Sequence, residues 1–320
     1  MKKIILILII VTSITTILLL SSRNLSMFKG EYTIIFESDR LCEHGLFSVD
    51  KAGVKFLREG GMPVTSLSGQ KIAYVTYEFN KTIREYKTGL AILDRESGEV
   101  RYIDMRELQL SVVASPKLSP DLKYIAFVAQ GECDNIFIKN LMTGIVEQIT
   151  NYTPQNKLFI QCIDWTAFGN GIVYKNSREG LIYLDLQSKQ TNLLINSKQF
   201  SLSDFSVAKN SDNIVFSGKG TITNKTAQYR QSELFMFNMK TKEIHQLTHN
   251  KFDERYPVYD PSGKWICYTS FRHHSPLVGG ELYIMELDTK REYRITKAER
   301  KGRMSPFSGL TSDTYPCWVK

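Results

Sequence analysis

The sequence lacks the cysteine spacings that build zinc sites and disulfide frameworks. It contains five cysteines, an odd number, and no two of them form a Cys-x-x-Cys pair. This pattern argues against a cysteine-ligated metal and against a fold stabilised by disulfides. Cys267 and Cys317 fall in predicted strands, where free buried thiols are expected. Cys42 and Cys133 fall in predicted loops, and whether either forms a disulfide is left open.

Catalytic signatures are absent as well. The sequence has no nucleophile elbow, no glycine-rich phosphate loop and no His-Glu-x-x-His motif. Serines are plentiful, but the five histidines do not define a Ser/His/Asp set. We therefore expect a protein that is not an enzyme and has no cofactor.

Charge gives little sign of a nucleic-acid partner. The formal net charge is +8, of which Lys2, Lys3 and Arg23 supply three charges in the leader, and the first acid is Glu31. The other basic residues are scattered and form no stripe alternating with aromatic residues. Nucleic acid is therefore excluded as an expected partner.

The N-terminus reads as a targeting segment. Two lysines precede a run from Ile4 to Leu20 that only Ser13 and three threonines interrupt. Seventeen helical residues span about 26 Å, near the lower limit for crossing a bilayer. Residues 1–22 are predicted to be a signal peptide or a helical signal anchor, and residues 23–31 a short linker. The lysines favour a cytoplasmic N-terminus with the body outside. We expect the body to be anchored by residues 4–20 or, after cleavage, to be secreted or periplasmic.

The body contains an internal repeat, which decides its fold. Its signature is a triplet of Ile, a small or apolar residue, and Phe or Tyr. The triplet occurs at Ile34–Phe36, Ile72–Tyr74, Ile125–Phe127, Ile172–Tyr174, Ile214–Phe216 and Ile266–Tyr268. Successive triplets are 38, 53, 47, 42 and 52 residues apart, which suits units of similar structure with loops of variable length.

Each unit predicts four short antiparallel strands. A turn rich in Gly, Pro, Asn, Asp or Ser precedes the triplet and predicts a hairpin. A third strand follows and ends on Asp, Asn or Glu, as in Leu90–Asp94. A fourth closes the unit, as in Val146–Thr150 and Ile244–Thr248. Repeated four-stranded units are propeller blades, and the body shows no sustained helical periodicity.

The ends of the body predict how the ring closes. The first unit begins at Tyr32 without an opening strand, whereas Tyr315–Val319 form an opening strand with nothing after it. Pairing the two completes the first blade and removes exposed sheet edges. Residues 32–320 are thus predicted to be an all-β, six-bladed propeller of four-stranded antiparallel blades, closed by the C-terminal strand. We expect it to be monomeric.

Two segments carry a resemblance to a known family. Ser119-Pro120-Asp121 with the triplet at Ile125, and Asp260-Pro261-Ser262-Gly263 with the triplet at Ile266, resemble the TolB-type (WD40-like) propeller repeat. The resemblance covers residues 32–319 and is weak in the fourth and fifth units, where the Pro-Asp-Gly turn is replaced. It implies a six-bladed fold located in the cell envelope or outside the cell. TolB itself has a further N-terminal domain that is not seen here, so a Tol–Pal role is not carried over.

Ligands of propellers lie at one mouth of the central channel. That face collects the loops between second and third strands, here 77–88, 217–233 and 269–281, and the loops between blades, including 249–256 and 297–314. Long loops on a rigid scaffold carry function. The binding-face candidates are His44, Arg84, Arg230, Asp253, Arg255, Arg272, His273 and His274.

Two functional classes follow from these candidates. The first is a non-enzymatic, extracytoplasmic scaffold that binds a protein or peptide through the loop-bearing face. The alternative is a carbohydrate-active propeller, either a glycan binder or a metal-dependent enzyme similar to oligogalacturonate lyase, in which His44, His273 and His274 would hold the metal. Because two adjacent histidines on a strand point to opposite faces, we expect no metal. Asp253 and the acids at blade entrances are expected to be structural, as are Trp165, Tyr259 and Trp318.

Overall fold

The computed structural model describes residues 32–41, 43–80, 85–105, 112–155, 158–220, 231–273, 279–299 and 310–319. All regular elements within these ranges are β-strands, arranged in six antiparallel sheets of four strands each. None of the described residues belongs to a helix long and apolar enough to cross a bilayer. The predicted N-terminal helix lies outside the described residues.

The sheets are the predicted blades, and we number them in chain order. Blade 1 contains β24 (Asp313–Val319), β1 (Thr33–Ser38), β2 (Gly45–Asp50) and β3 (Gly53–Glu59). Blade 2 contains β4 (Gly61–Thr65), β5 (Lys71–Asn80), β6 (Glu85–Asp94) and β7 (Val100–Ile103). Blade 3 contains β8 (Val112–Leu118), β9 (Tyr124–Gln130), β10 (Asn135–Asn140) and β11 (Val146–Gln148).

Blade 4 contains β12 (Ile160–Trp165), β13 (Gly171–Asn176), β14 (Gly180–Asp185) and β15 (Thr191–Asn196). Blade 5 contains β16 (Phe200–Val207), β17 (Asn213–Gly220), β18 (Glu233–Asn238) and β19 (Ile244–Gln246). Blade 6 contains β20 (Glu254–Tyr259), β21 (Trp265–Ser270), β22 (Glu281–Glu286) and β23 (Glu292–Arg294).

The ring closes as the sequence predicts. The C-terminal strand β24 pairs with β1, with Ile34 opposite Trp318 and Ser38 opposite Asp313. The first strands of the blades also contact one another in a closed cycle, with β24 packed between β20 and β4. Blade 1 is therefore built from both ends of the described chain, which leaves no open edge in the ring.

The triplets form the core between blades. All six lie in the second strand of their blade, and their isoleucines and aromatic residues are almost fully buried. The aromatic residue faces the third strand of the same sheet, as Phe36 faces Phe47 and Phe216 faces Phe235. Since strand side chains alternate, the outer triplet positions pack towards one neighbouring blade and the middle position towards the other.

Each first strand has a register shift at the same point, just before the position occupied by Pro in four blades. In those four blades the residue before Pro has a positive φ, between 48° and 53°. These four are Met62, Ser115, Tyr256 and Tyr315. A bulge of this kind turns a side chain out of the regular alternation, and here it turns these side chains into the central channel.

The predicted loop 77–88 is wrong. β5 continues to Asn80, β6 begins at Glu85, and Tyr77 pairs with Thr88 in an extended hairpin. The physical reason is visible in the sequence, because Val75, Tyr77 and Phe79 continue the period-two alternation of strand-forming residues.

The fourth strands end earlier than predicted, at Gln148 and Gln246. The reason is the threonine two residues later. The Thr150 hydroxyl accepts a hydrogen bond from the Ile136 amide at 2.9 Å, and the Thr248 hydroxyl accepts one from the Leu234 amide at 2.8 Å. This bond takes the place of the next ladder bond and turns the chain towards the following blade.

Gly180 is expected to be essential to blade 4. It opens β14 at a φ of 121°, and a Cβ there would lie 2.2 Å from the Ile195 carbonyl oxygen. Gly180→Ala should therefore lower the free energy of unfolding by about 3 kcal/mol, because both backbone strain and a backbone clash oppose it. Urea unfolding followed by circular dichroism measures the loss.

The control for this prediction is Gly98→Ala. Gly98 also has a positive φ, 73°, but an added Cβ would have no atom within 4 Å. Gly98→Ala should lower the free energy of unfolding by about 1 kcal/mol, which is the cost of the left-handed conformation alone. Equal losses in the two variants would show that the clash at Ile195 contributes nothing.

The described cysteines are free thiols, and they are Cys133, Cys162, Cys267 and Cys317. The two predicted to be buried in strands, Cys267 and Cys317, are 0 % and 3 % exposed. Cys42 lies outside the described residues.

Candidate functional site

The two faces of the propeller differ in their connections. The upper face carries the links from second to third strands and the links between blades. The lower face carries the turns from first to second and from third to fourth strands. Five of the eight predicted binding-face residues are described, and these five, His44, Asp253, Arg255, Arg272 and His273, belong to upper-face segments. Arg84, Arg230 and His274 lie outside the described residues.

His44 is tied into a polar cluster between blades 1 and 2. Its Nδ1 lies 2.8 Å from Oε1 of Glu37, and its ring stacks on Tyr77 with the centroids 4.0 Å apart. The second oxygen of Glu37 accepts a hydrogen bond from the Met62 amide at 2.8 Å. This amide belongs to the first strand of blade 2, so the cluster connects the His44 loop to the channel wall.

The His44 cluster predicts a pH-dependent stability. The hydrogen bond to Glu37 raises the pKa of His44, against the opposing effect of burial. A raised folded-state pKa gives stability that is complete below the unfolded value of about 6.5 and is lost as the pH rises through the folded value. His44→Gln should therefore lower the free energy of unfolding by about 0.5–1 kcal/mol at pH 5.5 and leave it almost unchanged at pH 9.

Chemical denaturation of both proteins at the two pH values measures this difference. The control is His245→Gln, because His245 is 60 % exposed and lies 3.9 Å from Glu243. That variant should show no difference between the two pH values. A loss at His44 that is equal at pH 5.5 and pH 9 would contradict the ion pair.

Arg272 is committed to a network inside blade 6. It lies 3.0 Å from Glu254 and 2.8 Å from Glu292, and its guanidinium covers the Tyr283 ring at 4.2 Å. Glu254 is fully buried, and this burial raises its pKa to about 7 although Arg272 opposes the shift. A guanidinium with this many partners binds its own blade together and has little left to offer a ligand.

His273 lies beside the same network. Its Nε2 is 2.9 Å from the Tyr283 hydroxyl and 3.9 Å from Glu281. Glu281 is itself 3.1 Å from Arg294 and accepts the Ala298 amide at 3.0 Å. Across the described ranges, no three His, Cys, Asp or Glu side chains are grouped so that they would hold a metal ion.

Asp253 has a structural role. Its carboxylate accepts the Ser232 amide at 2.9 Å, and its carbonyl accepts the Phe271 amide at 3.0 Å. These bonds hold the two upper-face segments of blades 5 and 6 at the entrance of β20. Glu233, which opens the third strand of blade 5, is buried in the same way and accepts the Thr248 hydroxyl at 2.5 Å and the Asn250 amide at 2.8 Å.

Arg255 is different, because it lies in β20 at the channel and its buried Nε has no hydrogen-bond partner among the described residues. The next residue, Tyr256, packs against Tyr315 with the ring centroids 4.3 Å apart and the ring planes tilted by 40°. Both tyrosines belong to the bulge positions of the first strands. The candidate site is therefore the upper part of the channel, where blades 4, 5, 6 and 1 meet.

Two residues of this site were missed in the sequence. Lys175 follows the triplet of blade 4, and Asp204 occupies the bulge position of blade 5. Both interact electrostatically with Arg255. Aligning the six repeats would have shown them, since the position of Lys175 is Val75 in blade 2 and Val128 in blade 3, and that of Asp204 is Met62 in blade 2.

Trp165, Tyr259 and Trp318 occupy one position of the repeat and are buried, with 2 %, 6 % and 4 % exposed. Two of them bond to the preceding blade, because the Trp165 indole donates to the Lys117 carbonyl at 2.9 Å and the Trp318 indole to the Val258 carbonyl at 3.3 Å. They join blades in the core and present no stacking surface.

The fold defines the class of protein as a six-bladed β-propeller, and comparisons with solved structures agree. TolB from Acinetobacter baumannii matches with a TM-score of 0.66 at 17 % identity, over 91 % of this chain and 67 % of TolB. A nidogen/laminin complex matches with 0.62 at 9 % identity, over 90 % and 98 %. An oligogalacturonate lyase in complex with manganese matches with 0.51 at 10 % identity, over 88 % and 77 %.

At these identities the likeness shows the fold. It is consistent with the TolB-type repeat seen in the sequence. No family model and no curated protein sequence matches the chain.

Proposed function

We propose that this protein is a non-enzymatic, extracytoplasmic propeller that binds a protein or peptide partner through its upper face. The proposal agrees with the similarity in fold to TolB and to a propeller in a nidogen/laminin complex, which is itself an assembly of proteins. The fold does not name the partner.

The observation that carries the proposal is a contrast between the two faces. On the lower face, the polar side chains at the turns satisfy their own backbone. Asp94, Asn140, Asp185 and Asn238 each accept two amide hydrogen bonds within the turn that they begin. At the channel, by contrast, the buried Nε of Arg255 is left without a partner in the described chain. Unpaired buried groups are costly, and a ligand is one way to pair them.

A photo-crosslinking residue tests the proposal in intact cells. Placed at Glu43, which is exposed on the upper face, it should give a covalent adduct with a polypeptide. The matched control is Gln187, which is exposed in a lower-face turn of blade 4 and should give none. The Glu43 adduct should also disappear in Arg255→Ala.

Two results would contradict this function. Adducts at Gln187 alone would place the partner on the other face. Stoichiometric manganese or zinc in the purified protein, lost in His273→Ala/His274→Ala, would instead favour the carbohydrate-active alternative. In that case the described His273 would act together with His274, which lies outside the described residues.

We further propose that residues 4–20 direct export and, if uncleaved, tether the body to the membrane. β1 begins on the lower face, since its far end leads into the His44 loop on the upper face. The nine residues 23–31 span at most about 30 Å when extended. A tethered body would therefore present its upper face away from the membrane. N-terminal sequencing of the mature protein decides whether the segment is retained.

A further inference from the structure

The channel narrows at the bulge positions of the six first strands. The residues at these positions are Met62, Ser115, Cys162, Asp204, Tyr256 and Tyr315, and they line one cavity of about 90 Å³. An apolar cavity of about 150 Å³ admits benzene. The cavity at this constriction is therefore smaller than one that admits an aromatic ring.

Two cationic side chains lie beside this constriction without matching partners. Lys175 is 9 % exposed, yet its ammonium group makes no hydrogen bond or ion pair within the described chain. Its burial lowers its pKa, while Asp204 opposes that shift. Arg255 leaves its buried Nε unpaired. Lys117 also lines the cavity, but it interacts with the buried carboxylate of Asp164.

Asp204 is the acid that faces Lys175 and Arg255, and it is partly satisfied already. It lies 3.4 Å from the Ser217 hydroxyl and accepts the backbone amide of Tyr256. Burial raises its pKa, which weakens it as a counter-ion. Glu37 is occupied by His44 and by the Met62 amide. The two cations Lys175 and Arg255 therefore exceed the charge of the one carboxylate that faces them.

We infer that the upper channel is an anion site that receives a carboxylate from an acidic side chain of the partner, held between Lys175 and Arg255. This inference rests on the proposed function, since it specifies what the partner inserts. The unpaired Nε–H of Arg255 is one of the guanidinium N–H groups that can donate to a carboxylate in a bidentate pair. Lys175 is 9 % exposed, pairs with Cys162 of the constriction and supplies a second charge from blade 4.

Methionine methyl NMR of the full-length protein tests the site, because Met62 lines the cavity. The probe is the capped peptide acetyl-Gly-Glu-Gly-amide, and its neutral comparator is acetyl-Gly-Gln-Gly-amide. The acidic peptide should shift the Met62 methyl signal saturably, and the neutral one should need at least ten times the concentration. Lys175→Gln and Arg255→Gln should each weaken binding at least tenfold.

The matched control is Lys264→Gln, which removes the same charge from an exposed turn on the lower face and should leave the titration unchanged. Equal binding of the two peptides, or unchanged binding in both Lys175→Gln and Arg255→Gln, would overturn the inference. So would inorganic phosphate binding tenfold more tightly than the acidic peptide, since the ligand group would then be a phosphate. If either Lys175→Gln or Arg255→Gln fails to fold, the peptide titration of the other variant tests the inference.

The outcomes separate this inference from the proposed function. A crosslinked polypeptide at Glu43 without any response to the acidic peptide would refute the anion site and keep the protein partner. A response to the acidic peptide without any crosslinked polypeptide would keep the anion site and refute the protein partner.

Discussion

Trp318→Ala is expected to lower the free energy of unfolding by about 3–5 kcal/mol, the range for truncating a large buried aromatic residue. Trp318 is 4 % exposed and lies in the strand that closes the ring. Its indole donates to the Val258 carbonyl of blade 6 at 3.3 Å and meets Tyr32 edge-on at 5.6 Å. Truncation removes contacts on both sides of the closure.

Urea unfolding followed by far-ultraviolet circular dichroism measures this loss. Phe168→Ala is the control, because Phe168 is also a large aromatic residue but is 89 % exposed in a lower-face turn. Its effect should stay within about 0.5 kcal/mol. A loss at Trp318 as small as that at Phe168 would mean that β24 adds little to the closed ring.

Arg40→Met is expected to have an effect of similar size, about 3–5 kcal/mol at pH 7. The Arg40 guanidinium lies 2.6 Å from the Asp313 carboxylate, and these side chains are 7 % and 0 % exposed. Arg40 precedes β2 and Asp313 opens β24. The ion pair therefore holds the closing strand against the rest of blade 1 at the upper face. Removing the cation leaves a buried carboxylate without its counter-charge, and this accounts for most of the loss.

The second partner of Arg40 matters less. Glu299 lies 2.7 Å away, but its side chain is 69 % exposed, and exposed pairs contribute little. Adding Asp313→Asn to Arg40→Met should therefore restore more than half of the stability, because the uncompensated charge is gone. Failure of the double variant to recover would assign the loss to packing of the Arg40 stem.

The Arg40→Met variant should also depend on pH in a defined direction. Burial already raises the pKa of Asp313, and Arg40 opposes this shift. Without Arg40 the folded-state pKa rises further above the unfolded value of about 3.9. The folded state then favours the protonated acid, so stability is lost as the pH rises through that window. The loss should be larger at pH 8 than at pH 5, which denaturation at both values measures.

The sequence determined the architecture of this protein because the fold is repetitive. Each triplet repeats one local requirement, a buried second strand whose aromatic residue faces the third, and six repetitions make the pattern unambiguous. The unpaired strands at Tyr32 and Tyr315 indicated the closure for the same reason. The predicted loop 77–88 is wrong because the alternation of strand-forming residues continues through Tyr77.

The site was decided by the tertiary structure. Arg272 was a binding-face candidate in the sequence, but folding brings it to Glu254. Lys175 and Asp204 looked ordinary, yet folding places both at the channel beside Arg255. The physical reason is that a local repeat fixes backbone hydrogen bonds and apolar burial within each blade. Which charges are paired depends on contacts between blades that lie far apart in the chain.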